Sequence, residues 1–284
     1  MALAVEDIIA HPALLGLVQR QSRALFAVYE ANPRLASVFG SQQRWLMAHA
    51  SLALHFRRNP ADPRSGLTAA RFFAVIEEHG VASRNAGDAF INEMLNYGIG
   101  HRVPGAGDGR TRPIEPAQLT VDAARYWVMT HLATLDRLDG DCRLETFHAA
   151  PASLEAIQPL IADGLLSSAA VREPEQTFAL FIWVNNGGIV MDFLVTGIED
   201  AAPGMERIAA GVVSVTQMAA SLKLSRTHLA RKLRQAEEMG GIGWEGKRGR
   251  SAMWMSRGFL REYLQVQAVK LALIDAAFDA GLRH

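Results

Sequence analysis

The chain has 284 residues, 49% of them apolar, and 29 basic against 29 acidic side chains give a formal net charge of zero. That length suits one large or two ordinary domains, and so much apolar side chain excludes global disorder. The balance excludes a uniform polycation but leaves room for a local charged patch, and local sign is what a partner meets.

The single cysteine, Cys142, rules out a disulfide framework within the chain and fits a reducing, cytoplasmic setting. The opening MALAVEDIIAHP carries Glu6 and Asp7 and no basic run, so it does not read as a secretory leader. Pro12-Ala13-Leu14-Leu15 opens a helix over 13–31, with Leu14, Leu17, Val18, Leu25 and Val28 at helical spacing. A second helix is predicted over 42–57 and is stopped by Asn59-Pro60-Ala61-Asp62-Pro63. Thr68 caps a helix over 68–79, and another follows over 84–97. Pro104 to Gly109 reads as a hairpin turn. A long helix over 120–138 sets Val121, Ala124, Val128, His131, Leu132, Leu135 and Leu138 on one face.

Polar and turn-forming residues then cluster over 139–151, DGDCRLETFHAAP, and suggest a boundary between halves 1–142 and 143–284. Pro151-Ala152-Ser153-Leu154 opens the second half much as Pro12 to Leu15 opens the first. Helices are expected near 153–169 and 177–195. Asn185, Asn186, two glycines and Asp192 interrupt the apolar stretch 177–198, so it reads as a buried helix broken or bent near Gly187, not as a membrane span. Thr216 is expected to cap a short helix through Leu222, and Ser225 to cap a helix from Arg226 to Glu238. Short strands at 242–244 and 253–255 flank the turn Glu245 to Arg250, and a final helix covers 257–280.

The same plan is thus written twice. SRNAGDAFINEMLNYGI at 83–99 and SRTHLARKLRQAEEMGGI at 225–242 start 142 residues apart, each after a short capped helix and before a hairpin. In the second copy Leu229, Leu233 and Ala236 share an inward face, leaving Arg226, Thr227, Arg231, Lys232 and Arg234 outside and His228 near the start. Lys247, Arg248 and Arg250 gather at the hairpin tip. Over 213–257, nine Lys/Arg face three acids, a local charge of +6 inside a neutral chain. A helix apolar behind and basic in front has the shape and charge for a major groove. Ser225, Arg226, Thr227 and His228 are then candidates for base edges. Arg231, Lys232, Arg234, Lys247, Arg248 and Arg250 are candidates for phosphates.

The segment from Val213 to Ser256 resembles a winged helix-turn-helix of the MarR-like regulators over about 45 residues, and 67–116 resembles it more weakly. The resemblance implies a mainly α fold with small β-wings, two winged helix-turn-helix units arranged as an intramolecular pseudo-dimer, and a sequence-specific, effector-responsive regulator of transcription bound to double-stranded DNA. The chain would act as a pseudo-dimeric monomer or as a homodimer, without a membrane and without a cofactor. The first copy is less basic. Over 67–113, five basic residues meet five acids, and Asp88, Asn92 and Glu93 stand where the second copy has Ala230, Arg234 and Gln235. Either Arg84 and Asn85 read a different half-site with Arg110 and Arg112 on phosphates, or this half is structural. The alternative function is a winged-helix module that binds a protein and no nucleic acid.

Enzyme signatures are poor. None of the nine histidines forms an HExxH or Cys/His metal spacing, and Gly105 to Gly109 lacks the following Gly-Lys-Ser/Thr of a phosphate loop. No enzymatic activity is expected. Trp45, Trp127, Phe181 and Trp183 fall on helices expected to join the halves. They are either core or the lining of a pocket for a small aromatic effector, as the resemblance implies.

Overall fold

The computed structural model describes residues 2–31, 39–62, 65–104, 112–174, 176–182, 187–202, 204–212 and 214–283. The protein is mainly helical, with two small antiparallel sheets among the described residues. The first half runs α1 (Val5–Ala10), α2 (Leu14–Ala31), α3 (Gln42–Phe56), α4 (Ala69–Glu78), α5 (Arg84–Asn96), β1 (Gly100–Arg102), β2 (Ile114–Pro116) and α6 (Gln118–Asp139). The second runs α7 (Arg143–Ala149), α8 (Ser153–Ser167), α9 (Ala169–Arg172), α10 (Gln176–Ile182), α11 (Gly187–Thr196), β3 (Arg207–Val212), α12 (Val215–Ser221), α13 (Arg226–Glu238), β4 (Ile242–Trp244), β5 (Ala252–Ser256) and α14 (Arg257–Leu282).

Local chemistry sets the repeated units. Ser83 and Ser225 each accept a backbone N–H of the first turn, from Ala86 and His228 at 3.3 and 3.4 Å, and so start α5 and α13. The turns before them close alike: Val81 N–H reaches Ile76 O and Leu224 N–H reaches Ala219 O, both at 2.8 Å. The left-handed residue of that turn is Gly80 in the first half and Lys223, at φ +52°, in the second. Strand pairing follows suit. β1 pairs β2 in the first half, and β4 pairs β5 in the second, where β3 adds a third strand on the other side of β5. In the first half Leu67 O takes that place, accepting from Ile114 N–H at 2.8 Å. Ala117 and Ser256 cap the two long helices, and their N–H groups donate to Ile99 O and Gly241 O, again both at 2.8 Å. These caps align α6 and α14 residue by residue.

Two expectations change. Ser214, not Thr216, caps α12, because Ser214 is the extended residue whose hydroxyl accepts Gln217 N–H at 3.3 Å. Residues 143–149 are helical where turn-forming residues suggested a connection. That helix is started by a carboxylate from another one: Asp136 on α6 accepts Arg143 N–H and Leu144 N–H at 2.8 and 2.9 Å. The stretch read as a helix broken or bent near Gly187 carries α10 up to Ile182 and α11 from Gly187 onward, with residues 183–186 outside the described ones. Among the described residues no helix is long and apolar enough to cross a membrane.

The halves are interleaved. α3 packs on α8 and α11 on α2, while α1 lies on α14 and α7 on α6, so each half covers helices of the other and one apolar core runs through both. The corner where they meet is polar. Arg143, 1% exposed, binds Asp275, 0% exposed, through Nε at 2.6 Å and grips Asp139 with both terminal nitrogens at 2.8 and 2.7 Å. Asp275 also accepts Leu3 N–H at 2.8 Å, a contact that mirrors the one Asp136 makes to α7. A buried guanidinium is tolerated there because its donors meet carboxylates in good geometry.

Candidate nucleic-acid interface

α13 is built as the sequence requires. Leu229, Leu233 and Ala236 are 2%, 1% and 0% exposed. Arg226, Thr227, Arg231 and Arg234 are exposed, and His228 and Lys232 are half-buried. The Arg231 guanidinium donates to His228 Nδ1 at 3.2 Å, so that nitrogen is the unprotonated one and Nε2 carries the hydrogen. Two neighbouring positions on the helix are thereby held together. Ser225 is exposed but its hydroxyl already serves the helix start, so its role is that of a cap first.

The β4–β5 hairpin presents Lys247 and Arg250 to solvent. Arg248 is arranged differently from the expectation of a free tip cation. It pairs with Glu237 at the end of α13 and lies over the Trp244 ring at 5.5 Å, so it ties the hairpin to the helix. Trp254 closes onto Gly243 across the strands, with the Arg207 guanidinium 4.6 Å from its ring. The hairpin is thus fixed to the body that carries α13, and fixed dipoles and charges bind at lower ordering cost than mobile ones.

The first half differs at the same places. Arg84 and Asn85 are exposed, but Arg84 stacks on the Phe73 ring at 5.0 Å. Asp88 accepts from Asn92 at 3.0 Å, and Glu93 pairs with Arg44 of α3. Glu93 thus ties α5 to α3, and Asp88 offsets the Arg84 charge on the outer side of the helix. Arg112 is half-buried beside β2 with its Nε unpartnered, and Arg110 lies outside the described residues.

Of the aromatic residues singled out, Trp45 and Trp127 do come together, with ring centroids 6.0 Å apart. They form the partition between two chambers. One, of about 200 Å³, reaches toward α5 and β1; the other, of about 280 Å³, lies between α2, α11 and α14. Phe181 lines neither. It stacks on Phe259 at 5.8 Å in the core, because the start of α14 brings Phe259 onto α10. Trp183 lies outside the described residues.

The larger chamber also holds polar residues that sequence reasoning missed. Tyr263 donates to Asp192, and Lys270 stands nearby. Burial lowers the Lys270 ammonium to about 8, with the Asp192 charge opposing that, while burial raises Asp192. Burial, helped by the Lys270 charge, pushes His49 down to about 3 and keeps it neutral. A usable signal was the spacing of Tyr263, Gln267 and Lys270, which puts three polar groups on the inward side of an apolar helix. Among the described residues no group of three His, Cys, Asp or Glu could hold a metal ion, and Cys142 is a free, exposed thiol.

Comparison of the chain with protein-family models, with curated proteins and with solved structures gives no match.

Proposed function

We propose that the protein is a sequence-specific DNA-binding regulator of transcription, built as two winged helix-turn-helix units of unequal charge joined in one chain. The observation that carries this reading is α13. Its apolar row is buried, its outer side carries Arg226, Arg231 and Arg234, and Lys247 and Arg250 stand on a hairpin fixed to it. Such a surface places cations along a phosphate backbone while the first turn of the helix reaches base edges. Arg226, Thr227 and His228 are assigned to bases; Arg231, Lys232, Arg234, Lys247 and Arg250 to phosphates.

Fluorescence anisotropy against a randomised duplex pool at two salt concentrations, followed by sequencing of the retained DNA, tests this. Affinity is expected to fall steeply with salt. Arg226→Ala is expected to change the retained motif. Lys247→Ala or Arg250→Ala is expected to weaken every sequence and to lower the salt slope by about one each. No binding at low salt would overturn the reading.

The runner-up is a module that docks a protein. The neutral outer side of α5 and the exposure of Tyr97 (57%) just after it favour that role for the first half. Strong salt dependence of DNA affinity separates the two.

A further inference from the structure

α2 and α6 pack along two facing rows of the same i, i+3, i+4, i+7 spacing. Leu17, Arg20, Gln21 and Ala24 of α2 and Thr130, Ala133, Thr134 and Arg137 of α6 line a hollow of about 200 Å³ between them. α8 lies on α14 as α2 lies on α6. At the positions of α14 that match Thr130, Ala133, Thr134 and Arg137 through the caps Ala117 and Ser256 stand Val269, Ala272, Leu273 and Ala276. Leu273 packs into that seam, where a Cβ on Gly164 of α8 would come within 3.1 Å of its Cδ2. Where the second seam is packed with apolar side chains, the first carries two guanidinium groups and an amide.

These groups suit an oxyanion. Arg20 and Arg137 supply positive charge and forked donors. Arg137 Nη1 donates to Ala133 O at 2.8 Å, which keeps that guanidinium along α6. The remaining polar groups are acceptors. Thr130 donates its hydroxyl hydrogen to Tyr126 O at 2.8 Å and Thr134 donates to Thr130 O at 3.0 Å, so the two offer a ligand only lone pairs. Gln21 is 4% exposed, and its Oε1 has no hydrogen-bond partner among the described residues. An acceptor in that state gains from any donor brought to it. The best complement therefore carries negative charge and a hydrogen on one small group. A cavity of about 150 Å³ takes up benzene, so this hollow has room for a tetrahedral ion.

We infer that this hollow binds the inorganic hydrogenphosphate ion, its charged oxygens on Arg20 and Arg137 and its hydroxyl on the acceptors of Gln21 and the threonines. Sulfate fits worse, because its oxygens would meet those lone pairs with no hydrogen between them. A bound ion bridges α2 and α6. α2 in turn holds the end of α11, through Gln19 Nε2 to Val195 O and Ile198 O at 2.9 and 2.7 Å. The binding does not depend on the DNA-binding reading of α13.

The test uses the full chain in phosphate-free buffer at pH 8 and constant ionic strength, with inorganic phosphate, sulfate and methyl phosphate followed by titration calorimetry and thermal shift. Phosphate is expected to bind saturably and to raise Tm. Sulfate is expected to bind at least about tenfold more weakly, and so is methyl phosphate, whose second pKa of about 6 leaves it no hydrogen at that pH. Arg20→Ala and Arg137→Ala should each weaken phosphate by about tenfold or more, and Gln21→Leu should narrow the gap between phosphate and sulfate. Thr134→Leu, which brings in the side chain found on α14, should abolish binding. Arg250→Ala, on the hairpin beside α13, should leave it unchanged. Should Thr134→Leu misfold, the two exposed arginine variants still decide. Absence of saturable phosphate binding, equal binding of sulfate or methyl phosphate, or binding that survives both arginine variants overturns the proposal. Binding lost in Arg250→Ala but kept in Arg20→Ala would place the ion on α13 and overturns it too. A chain that binds phosphate here but no duplex keeps this site and loses the DNA-binding reading; one that binds duplex but no phosphate does the reverse.

Discussion

Residues 83–99 and 225–242 are built alike and present different surfaces. α5 and α13 start on the same Ser-Arg pair, and close after the same kind of turn, with Ile99 N–H on Met94 O and Gly241 N–H on Ala236 O, both at 2.9 Å. Yet α13 directs its arginines outward while α5 keeps its acids in local pairs with Asn92 and Arg44. Inside, α14 carries Phe259, Glu262 and Tyr263 where α6 carries Thr120, Ala123 and Ala124, and each of the two helices borders a chamber. Caps and glycines therefore preserve a fold, and outer charge and inner volume can change independently of it.

The largest effect should come from the joint that both halves share. Arg143→Met leaves Asp275 buried with only Leu3 N–H and should cost about 3–5 kcal/mol. Asp136→Asn, at the matching position on α6, should cost much less, since that carboxylate is less buried. Urea denaturation of both variants checks the contrast, and equal losses would break it.

Next comes a graft. Ala230→Asp, Arg234→Asn and Gln235→Glu give α13 the residues of α5 and should lower DNA affinity by about a hundredfold, roughly 2.7 kcal/mol. The reverse graft, Asp88→Ala, Asn92→Arg and Glu93→Gln, shows in the same anisotropy assay whether α5 lies near phosphate: a tighter, more salt-dependent complex says that it does.

Smaller effects sharpen the interior comparison. Gly87 occupies the register of Leu229, and a Cβ there would stand 2.5 Å from Ile76 Cδ1. Gly87→Ala should cost about 1–3 kcal/mol by overpacking. The turns give the smallest change. Lys223→Gly removes a left-handed non-glycine residue and should stabilise by about 1 kcal/mol, whereas Gly80→Lys should destabilise by a similar amount. Thermal melts of the pair check both signs.

Much of the fold was legible because it is locally specified. The span Arg226 to Glu238, the strand Ile242 to Trp244 and the inward row Leu229, Leu233 and Ala236 follow from a serine cap, helical spacing and turn glycines. So did the division of outer charge between α5 and α13, since charge is a property of residues and their register. Other features had no local signature. α7 forms because a carboxylate seven residues upstream folds back onto its first N–H groups. β3 exists because β5 offers it an edge. Which partners Phe181 and Arg248 would meet had no local signature either: Phe181 stacks on Phe259 in the core, and the exposed Arg248 pairs with Glu237 and lies over Trp244. The sequence by itself determined the Ser83 and Ser225 caps, the likeness of 83–99 to 225–242 and the basic stripe, all set by contacts within a few turns of chain. Only the tertiary structure decided the interleaving of the halves, the buried Arg143 and the open chamber, because these depend on which distant side chains fill or leave a common volume.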